Sequence, residues 1–590
     1  MRSRILAIIA LVALFAGCSE RLTEVQKPSF NQFVVGERVK TIRAAIVRST
    51  ASAFAAPNGT AAKDATGTIV APAGGQVDAA GDNTRYWNVD FDGAGPDGWV
   101  SGIYLTSVTE NGVPTTEFWV SPTGSAANPG TQASPWSLSW AMDSANHAAV
   151  AGSTIWMLNG TYAGNYHTTT KGNPTQRIVY RQAAGARATI DGQLYAQGEY
   201  LTFWGFEIKQ SQPSTLYGLE AQTNNGRYIN LVIHDAGTMG ISIWYPPGDT
   251  TEIYGCLVYN NGTNAGANHG AYIESTAGYR ILRDNVFFNN TAYGIYAFTV
   301  AGGAPQNNIY AIGNASFNNG STAYAGWGYT AKPNITIGAQ APVPSDGMRA
   351  DSNFTYFSIH PSPSEWNLKL GTGLIGSQSQ NGSLLARGNT SWAGIALRVT
   401  DWTTSTVAGN TLFAPGASRL VDLVDPTMPG QHSWSGNTYL IPATTQNWYW
   451  MDQWYDLNGW QTATGLGATG TAGTIPSTPT VLVRANKYES GRALIIVNND
   501  NGASGPRVST DITVSLPSGI LTSGQTYFIR NTQDIYNYVA TGTYNGSSIT
   551  ITAAAMAGGT PPALLGTGRT WGTTPPTTGP RFNAFILTTQ

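Results

Sequence analysis

With 590 residues, the chain is long enough for several domains, because single hydrophobic cores rarely grow beyond ~250–300 residues. Charged residues make up only 11%, well under the ~25% of an average soluble protein, while Gly, Asn, Ser and Thr recur throughout, as short strands and tight turns require. The net charge of -2, with no basic run, lacks the cationic footprint that nucleic acid demands and excludes that partner.

At the start, Arg2 and Arg4 lead an apolar run from Ile5 to Gly17, shorter than the ~20 residues that span a bilayer. The run closes on Phe15-Ala16-Gly17-Cys18, which resembles a bacterial lipobox. That resemblance implies a signal peptide over 1–18, an exported protein and a lipid on Cys18 that ties it to the membrane. Ser19 in the next position implies the outer membrane or cell surface. Phe15 departs from the usual lipobox pattern, so simple secretion is the alternative. Residues 19–32 read as a polar tether. With Cys18 modified, Cys256 has no disulfide partner and reads as a small buried hydrophobe.

Over 33–112, five short alternating segments, among them RYWNVDF from Arg85 and DGWVSGIYLTSV from Asp97, are separated by Gly, Pro and Asn turns and predict a small barrel. Tyr86, Trp87, Trp99, Val100, Tyr104 and Leu105 resemble bacterial SH3-like domains, which implies a cell-wall peptide binder or spacer with peptidoglycan as the partner.

From Phe118 the sequence becomes repetitive. FWVSPTGS from Phe118, STIWML from Ser153 and GTY from Gly160 resemble the entry coils of right-handed parallel β-helix proteins, the pectate-lyase-like superfamily. The repeat stands independently of that likeness. Segments NLVIHD, GCLVYNN, NVFFNN, NASFNN, NFTYF, NTSWA, NTLFA and NTYL begin at Asn230, Gly255, Asn285, Asn314, Asn353, Asn389, Asn410 and Asn437, with spacings of 25, 30, 29, 39, 36, 21 and 27 residues. Asn and Gly suit a left-handed turn between strands. Three residues on stand Ile233, Val258, Phe288, Phe317, Tyr356, Trp392, Phe413 and Leu440, predicted to stack inside the coils. The predicted solenoid covers 113–447. Beyond it, a Trp-rich bridge (Trp448, Trp450, Trp454, Trp460) leads to alternating strands over 448–590 that predict a β-sandwich. The predicted fold class is therefore all-β: a right-handed parallel β-helix flanked by a small SH3-like barrel and a C-terminal β-sandwich.

Each coil carries a second short strand: GISIW from Gly240, GAYIE from Gly270, GIYAF from Gly294, then NITIGA, WNLKLG and GIALRV. Alternation points Ile241/Ile243, Ala271/Ile273, Ile295/Ala297, Ile335/Ile337, Leu368/Leu370 and Ile395/Leu397 inward. Outward stand Ser242 and Trp244, Tyr272 and Glu274, Tyr296 and Phe298, Thr336, Asn367 and Lys369, then Ala396 and Arg398. Trp244, Tyr272, Tyr296 and Phe298 form an aromatic strip suited to stacking on pyranose rings. The alternative is a covered second layer, roofed by the insertions at Tyr245–Thr251 and Thr299–Gln306.

Lys369 and Arg398 fall on successive coils, ~5 Å apart, suited to the base and the carboxylate-holding cation of a β-elimination, the roles such residues fill in β-helix lyases. Glu274 lies about three coils away, ~14 Å, and no second acid lies on this face in the coils flanking it for glycoside hydrolysis, although Asp235 and Asp284 occupy turns from which they could converge on it. His269 is a candidate catalytic residue or a turn histidine bonded to main chain, and His234 reads as a turn cap. No His/Cys/Asp cluster suggests zinc, whereas calcium suits ligands gathered from different coils. The expected partner is an extracellular polysaccharide, bound and cleaved by a surface lipoprotein lyase, or bound without catalysis by an adhesin or envelope-structural protein.

Overall fold

The computed structural model describes residues 38–589 except 42–43, 52–54, 63–64, 71–75, 78–84, 92–95, 102–104, 108–115, 146–148, 245–249, 264–267, 300–302, 322–331, 340–342, 359–365, 372–380, 416–418, 425–430, 503–504 and 566–573. The lipobox with Cys18, Tyr104, and parts of both insertions lie outside the described residues. Two compact units divide the chain, 1–112 and 113–590.

The first unit is an antiparallel sheet whose apolar positions, among them Val39, Val47, Ile69, Trp87, Val89 and Val100, form one buried cluster. The second unit is a right-handed parallel β-helix built from three twelve-stranded sheets. Each coil contributes one short strand to each sheet in turn, from Glu117–Val120 in the first sheet to His432–Ser435, from Gly160–Ala163 in the second to Thr471–Ala472, and from Tyr166–Thr168 in the third to Gln453–Tyr455. Only the last pair of the third sheet, Trp448–Trp450 with Gln453–Tyr455, is antiparallel within it.

Parallel stacking repeats each position of a coil above the same position of the next, so like side chains form ladders. Inside the first sheet Tyr180, Phe203 and Tyr228 stack with ring centroids 5.3 Å apart. Two asparagine ladders line the corners. At the first, Asn285, Asn314, Asn353, Asn389, Asn410 and Asn437 each hand an amide to the next at 2.9 to 3.0 Å. At the second, Asn261, Asn290, Asn319, Asn334 and Asn367 do the same at 2.8 to 2.9 Å. The amides also bind main-chain groups that the bends leave unpaired, as a buried corner requires.

These ladders correct the sequence register. The left-handed residues are Asn230, Gly255, Asp284, Gly313, Ser352, Gly388, Gly409 and Gly436, so the repeated Asn from 285 onward sits one step later and points inward. The true inward column is therefore Ile233, Val258, Phe287, Ser316, Thr355, Ser391 and Leu412. The aromatics Phe288, Phe317, Tyr356, Trp392 and Phe413 align with His234 and Tyr259 on the opposite, outward face.

They are buried because the C-terminal strands cover them. A five-stranded antiparallel sheet containing Ala493–Asn498 and Phe582–Thr588 lays Leu494, Ile496, Phe582, Ala584 and Ile586 into the same core as the coils. Phe582 stacks on Tyr356 at 4.4 Å. Its other face, with Ile495, Val497, Phe585 and Leu587, packs on the second antiparallel pair through Ile512, Val514, Ile549 and Ile551. Polar contacts fasten the edges: Asn230 donates to Glu489 at 2.9 Å, and Tyr356 and Trp392 both donate to Asp500. The bridge tryptophans divide between packing and surface, with Trp448 and Trp460 buried and Trp454 exposed. Helix Leu457–Thr464 sets Trp460 against Trp434 at 5.3 Å.

Candidate functional site on the third sheet

The second sheet is roofed by the C-terminal module, whereas the third sheet presents chemistry outward. Its outward column runs His167, Tyr195, Glu220, Ser242, Tyr272, Tyr296, Thr336, Lys369, Arg398, Asp422 and Tyr449, one residue per coil. The expected inward residues are all buried. Leu368 and Leu370 pair with Leu397 and Val399, while Ile395 pairs with Trp366. Asn367, expected outward, turns inward as the last rung of the corner ladder, because strict alternation fails where the chain bends into the sheet. Trp366 takes the outward place. The glycines that open these strands answer to the same corner: a Cβ on Gly270 would lie 2.6 Å from the Gly294 carbonyl and 2.7 Å from Asn290 Nδ2, inside contact distance.

Lys369 and Arg398 occupy adjacent rungs, as the spacing predicted. Both approach the Trp366 ring, Nζ at 4.8 Å and Cζ at 4.6 Å from its centroid, a cation–π arrangement. Asp422 is fully buried behind them and accepts from Trp366 Nε1 at 2.9 Å and from Arg398 at 2.9 Å. Arg419 lies 3.2 Å from its other oxygen and 3.4 Å over Tyr449. Burial, followed by the charges of Arg398 and Lys332, pushes the Lys369 ammonium down to about 8, against a smaller upward pull from Asp422. Burial also lowers Arg398, although Asp422 holds it charged.

The aromatic strip is partly open. Trp244 is 38% exposed, its ring 5.1 Å from that of Tyr272, and Tyr272, Tyr296 and Glu274 are half-buried. Phe298 is covered, packed 4.7 Å from Tyr296, and Thr336 is fully buried. Tyr272 donates its hydroxyl to Glu274 at 2.8 Å, and burial raises the Glu274 carboxyl above its ordinary range. His269 is packed within this layer, 4.5 Å from Tyr296 and 5.1 Å from Tyr293. Burial and then Lys332 push its imidazole down to about 3, so it stays neutral. Its Nδ1 has no hydrogen-bond partner among the described residues.

Sequence reasoning missed four contributors to this face. Trp366 shares the strand of Lys369. Asp422 and Arg419 were passed over although the coil pattern continues through Val421–Val424. Glu220, on Leu219–Ala221, followed a glycine just as the strand from Gly270 does, and that signal was available.

Asp235 and Asp284 do not reach this face. His234 is buried on the second sheet, Nδ1 2.7 Å from Asp235 and Nε2 2.8 Å from Glu207, which Arg187 also holds. Cys256 is buried with its thiol pushed up to about 12 by burial, as befits an unreactive hydrophobe. Among the described residues no cluster of three or more His, Cys, Asp or Glu side chains is placed to hold a metal ion, and no helix is long and apolar enough to cross a membrane.

Residues 118–270 match the family described as Pel9A-like, right handed beta helix region, a minority of the chain. No curated protein matches the sequence. Among solved structures the chain is similar to the pectate lyase Pel9A, at 16% identity over 63% of this chain and 81% of that one, with a TM-score of 0.40. It is also similar to a rhamnogalacturonan lyase, at 14% identity over 55% and 87%, TM-score 0.38. A third is a mannuronic acid specific polysaccharide family 6 lyase from human gut microbiota, at 12% identity over 62% and 84%, TM-score 0.32.

Proposed function

We propose that the outward face of the third sheet binds an extracellular, uronate-containing polysaccharide and cleaves it by β-elimination at Lys369. The observation that carries this reading is a half-buried lysine on an outward rung whose ammonium is pushed down to about 8 beside Arg398. A neutral amine at that position is a base suited to a moderately acidic carbon proton near neutral pH. In the step, Lys369 takes the proton on the carbon next to the uronate carboxylate. The electron pair forms the ring double bond, the C4–O bond breaks, and the departing sugar takes a proton from water.

Negative charge develops on the carboxylate as the proton leaves, and the positive field of Arg398 and Arg419 favours it. Arg398 is already tied to Asp422 and Trp366, so its role is to depress Lys369 and hold the field rather than to swing onto substrate. Tyr272 and Trp244 supply stacking surface farther along the same track. Lipidation at Cys18 and peptidoglycan binding by the N-terminal unit would hold the enzyme at the cell envelope.

The test is to incubate the purified protein, with and without added calcium, with a panel of uronate-containing and neutral polysaccharides. Ultraviolet absorbance from unsaturated ends and new reducing ends are followed together. Both signals from a uronate polymer are expected. Binding in a pull-down with neither signal would establish the noncatalytic adhesin instead.

A further inference from the structure

The outward face of the third sheet changes electrostatic character along its length. From Tyr195 to Glu274 its outward positions carry Glu220 and Glu274 and neither Lys nor Arg. From Lys369 onward they carry Lys369 and Arg398, with Arg419 beside Asp422. Among the described residues the cation Lys332 lies toward the middle of the face, 6.0 Å from the Tyr293 ring. An acidic sugar seated between Glu220 and Trp244 would therefore meet carboxylates with no Lys or Arg on the outward strand positions there, and like charges brought together from water repel.

That same end is built for uncharged sugar. Trp244 and Tyr272 form an adjoining aromatic pair with centroids 5.1 Å apart, and Tyr217 lies 6.4 Å from Trp244. Carboxylates are strong acceptors for paired sugar hydroxyls, and both here are held in place, Glu274 by the Tyr272 hydroxyl at 2.8 Å and Glu220 by the Gln193 amide.

We infer that the substrate is a glycan of mixed charge, with neutral sugar residues seated on the Glu220–Trp244–Tyr272 end and an acidic residue at Lys369. Three coils separate Tyr272 from Lys369, ~14 Å at the spacing of parallel strands, which a single bound chain bridges with several sugar units. The inference rests on the lyase reading for its acidic end and on the aromatic–carboxylate patch for its neutral end.

Calorimetric titration of the full chain tests the two ends separately. The probes are hexasaccharides of alternating hexuronic acid and neutral hexose, of hexuronic acid alone, and of neutral hexose alone, each against wild type, Trp244→Ala, Glu220→Gln/Glu274→Gln and Lys369→Ala. The alternating probe is expected to bind at least about tenfold tighter than the all-acidic one, a difference of ~1.4 kcal/mol. Trp244→Ala should erase most of that advantage, and the double Gln variant should tighten binding of the all-acidic probe by removing the repulsion.

Equal or tighter binding of the all-acidic probe by wild type, unaffected by Trp244→Ala, would overturn the mixed-charge inference and leave the lyase reading standing. Binding of the neutral probe alone, insensitive to Lys369→Ala, would overturn both the acidic subsite and the mixed substrate. No binding of any probe would overturn both readings.

Discussion

The base assigned to Lys369 makes a quantitative demand on the pH profile. At pH 7 an amine with a pKa of about 8 is about one-tenth neutral, whereas one at the ordinary 10.5 is neutral in roughly one molecule in three thousand. The environment of Lys369 therefore supplies about a 300-fold larger fraction of active base.

Because the reactive form is the neutral one, kcat/KM should rise about tenfold per pH unit below about 8 and level off above it. Burial is the larger cause and Arg398 the next. Arg398→Met removes the second, so the midpoint should move upward and the rate at pH 7 should fall about tenfold for each unit of movement. Competitive acylation of Lys369, read by mass spectrometry across the same pH range, measures the amine without any substrate. A wild-type midpoint near 10.5, or one that stays in place in Arg398→Met, would refute the reasoning.

Other expectations follow from the same contacts. Asp422→Asn removes the negative charge that raises Lys369, so the alkaline-rising limb should move to lower pH while Arg398 and Arg419 lose their shared partner. Asn314→Ala removes the side-chain donor to the Leu282 carbonyl and the acceptor of the Asn285 main-chain N–H and of one Asn285 Nδ2 hydrogen, while the main-chain N–H of residue 314 still bonds Asn353. At ~1–3 kcal/mol for each buried orphan, denaturant unfolding should show a loss of at least ~3 kcal/mol. Phe582→Ala empties the site stacked on Tyr356 and should cost ~3–5 kcal/mol, with faster proteolysis of the C-terminal strands.

For His234, burial alone would lower the imidazole, but hydrogen bonds to Asp235 and Glu207 outweigh it and the net direction is upward. Its stabilising contribution is therefore full below the ordinary value of ~6.5 and is lost as pH rises through the elevated folded-state value. His234→Gln should flatten that slope in thermal melts.

Strand identity and facing on the third sheet were legible because a period of two and a coil-sized repeat are both written in the residues. Ile241, Ala271, Ile295 and Leu368 point inward, and Lys369 meets Arg398 as counted. The second sheet was misread by one residue because two kinds of corner residue, the left-handed turn and the inward asparagine, look alike in sequence. Asn230 is the former and Asn285 the latter, and a slip of one residue reverses the facing of the whole aromatic column.

Even so, Phe288, Phe317 and Tyr356 are buried, since a module more than 200 residues downstream lies over them. No local pattern encodes that cover. The site was half legible for the same reason. Lys369 and Glu274 follow from alternation, whereas the ties of Arg398 to Asp422 and Trp366, and the covering of Phe298 and His269, depend on side-chain packing across coils.

The most direct test of the central claim is the appearance of unsaturated chain ends when the wild-type protein meets a uronate-containing polysaccharide, compared with Lys369→Ala under identical conditions. Ultraviolet-absorbing ends from wild type and their loss in the variant, with polysaccharide binding retained, is the predicted result. Equal yields of unsaturated ends from both proteins would contradict the assignment of Lys369 as the base.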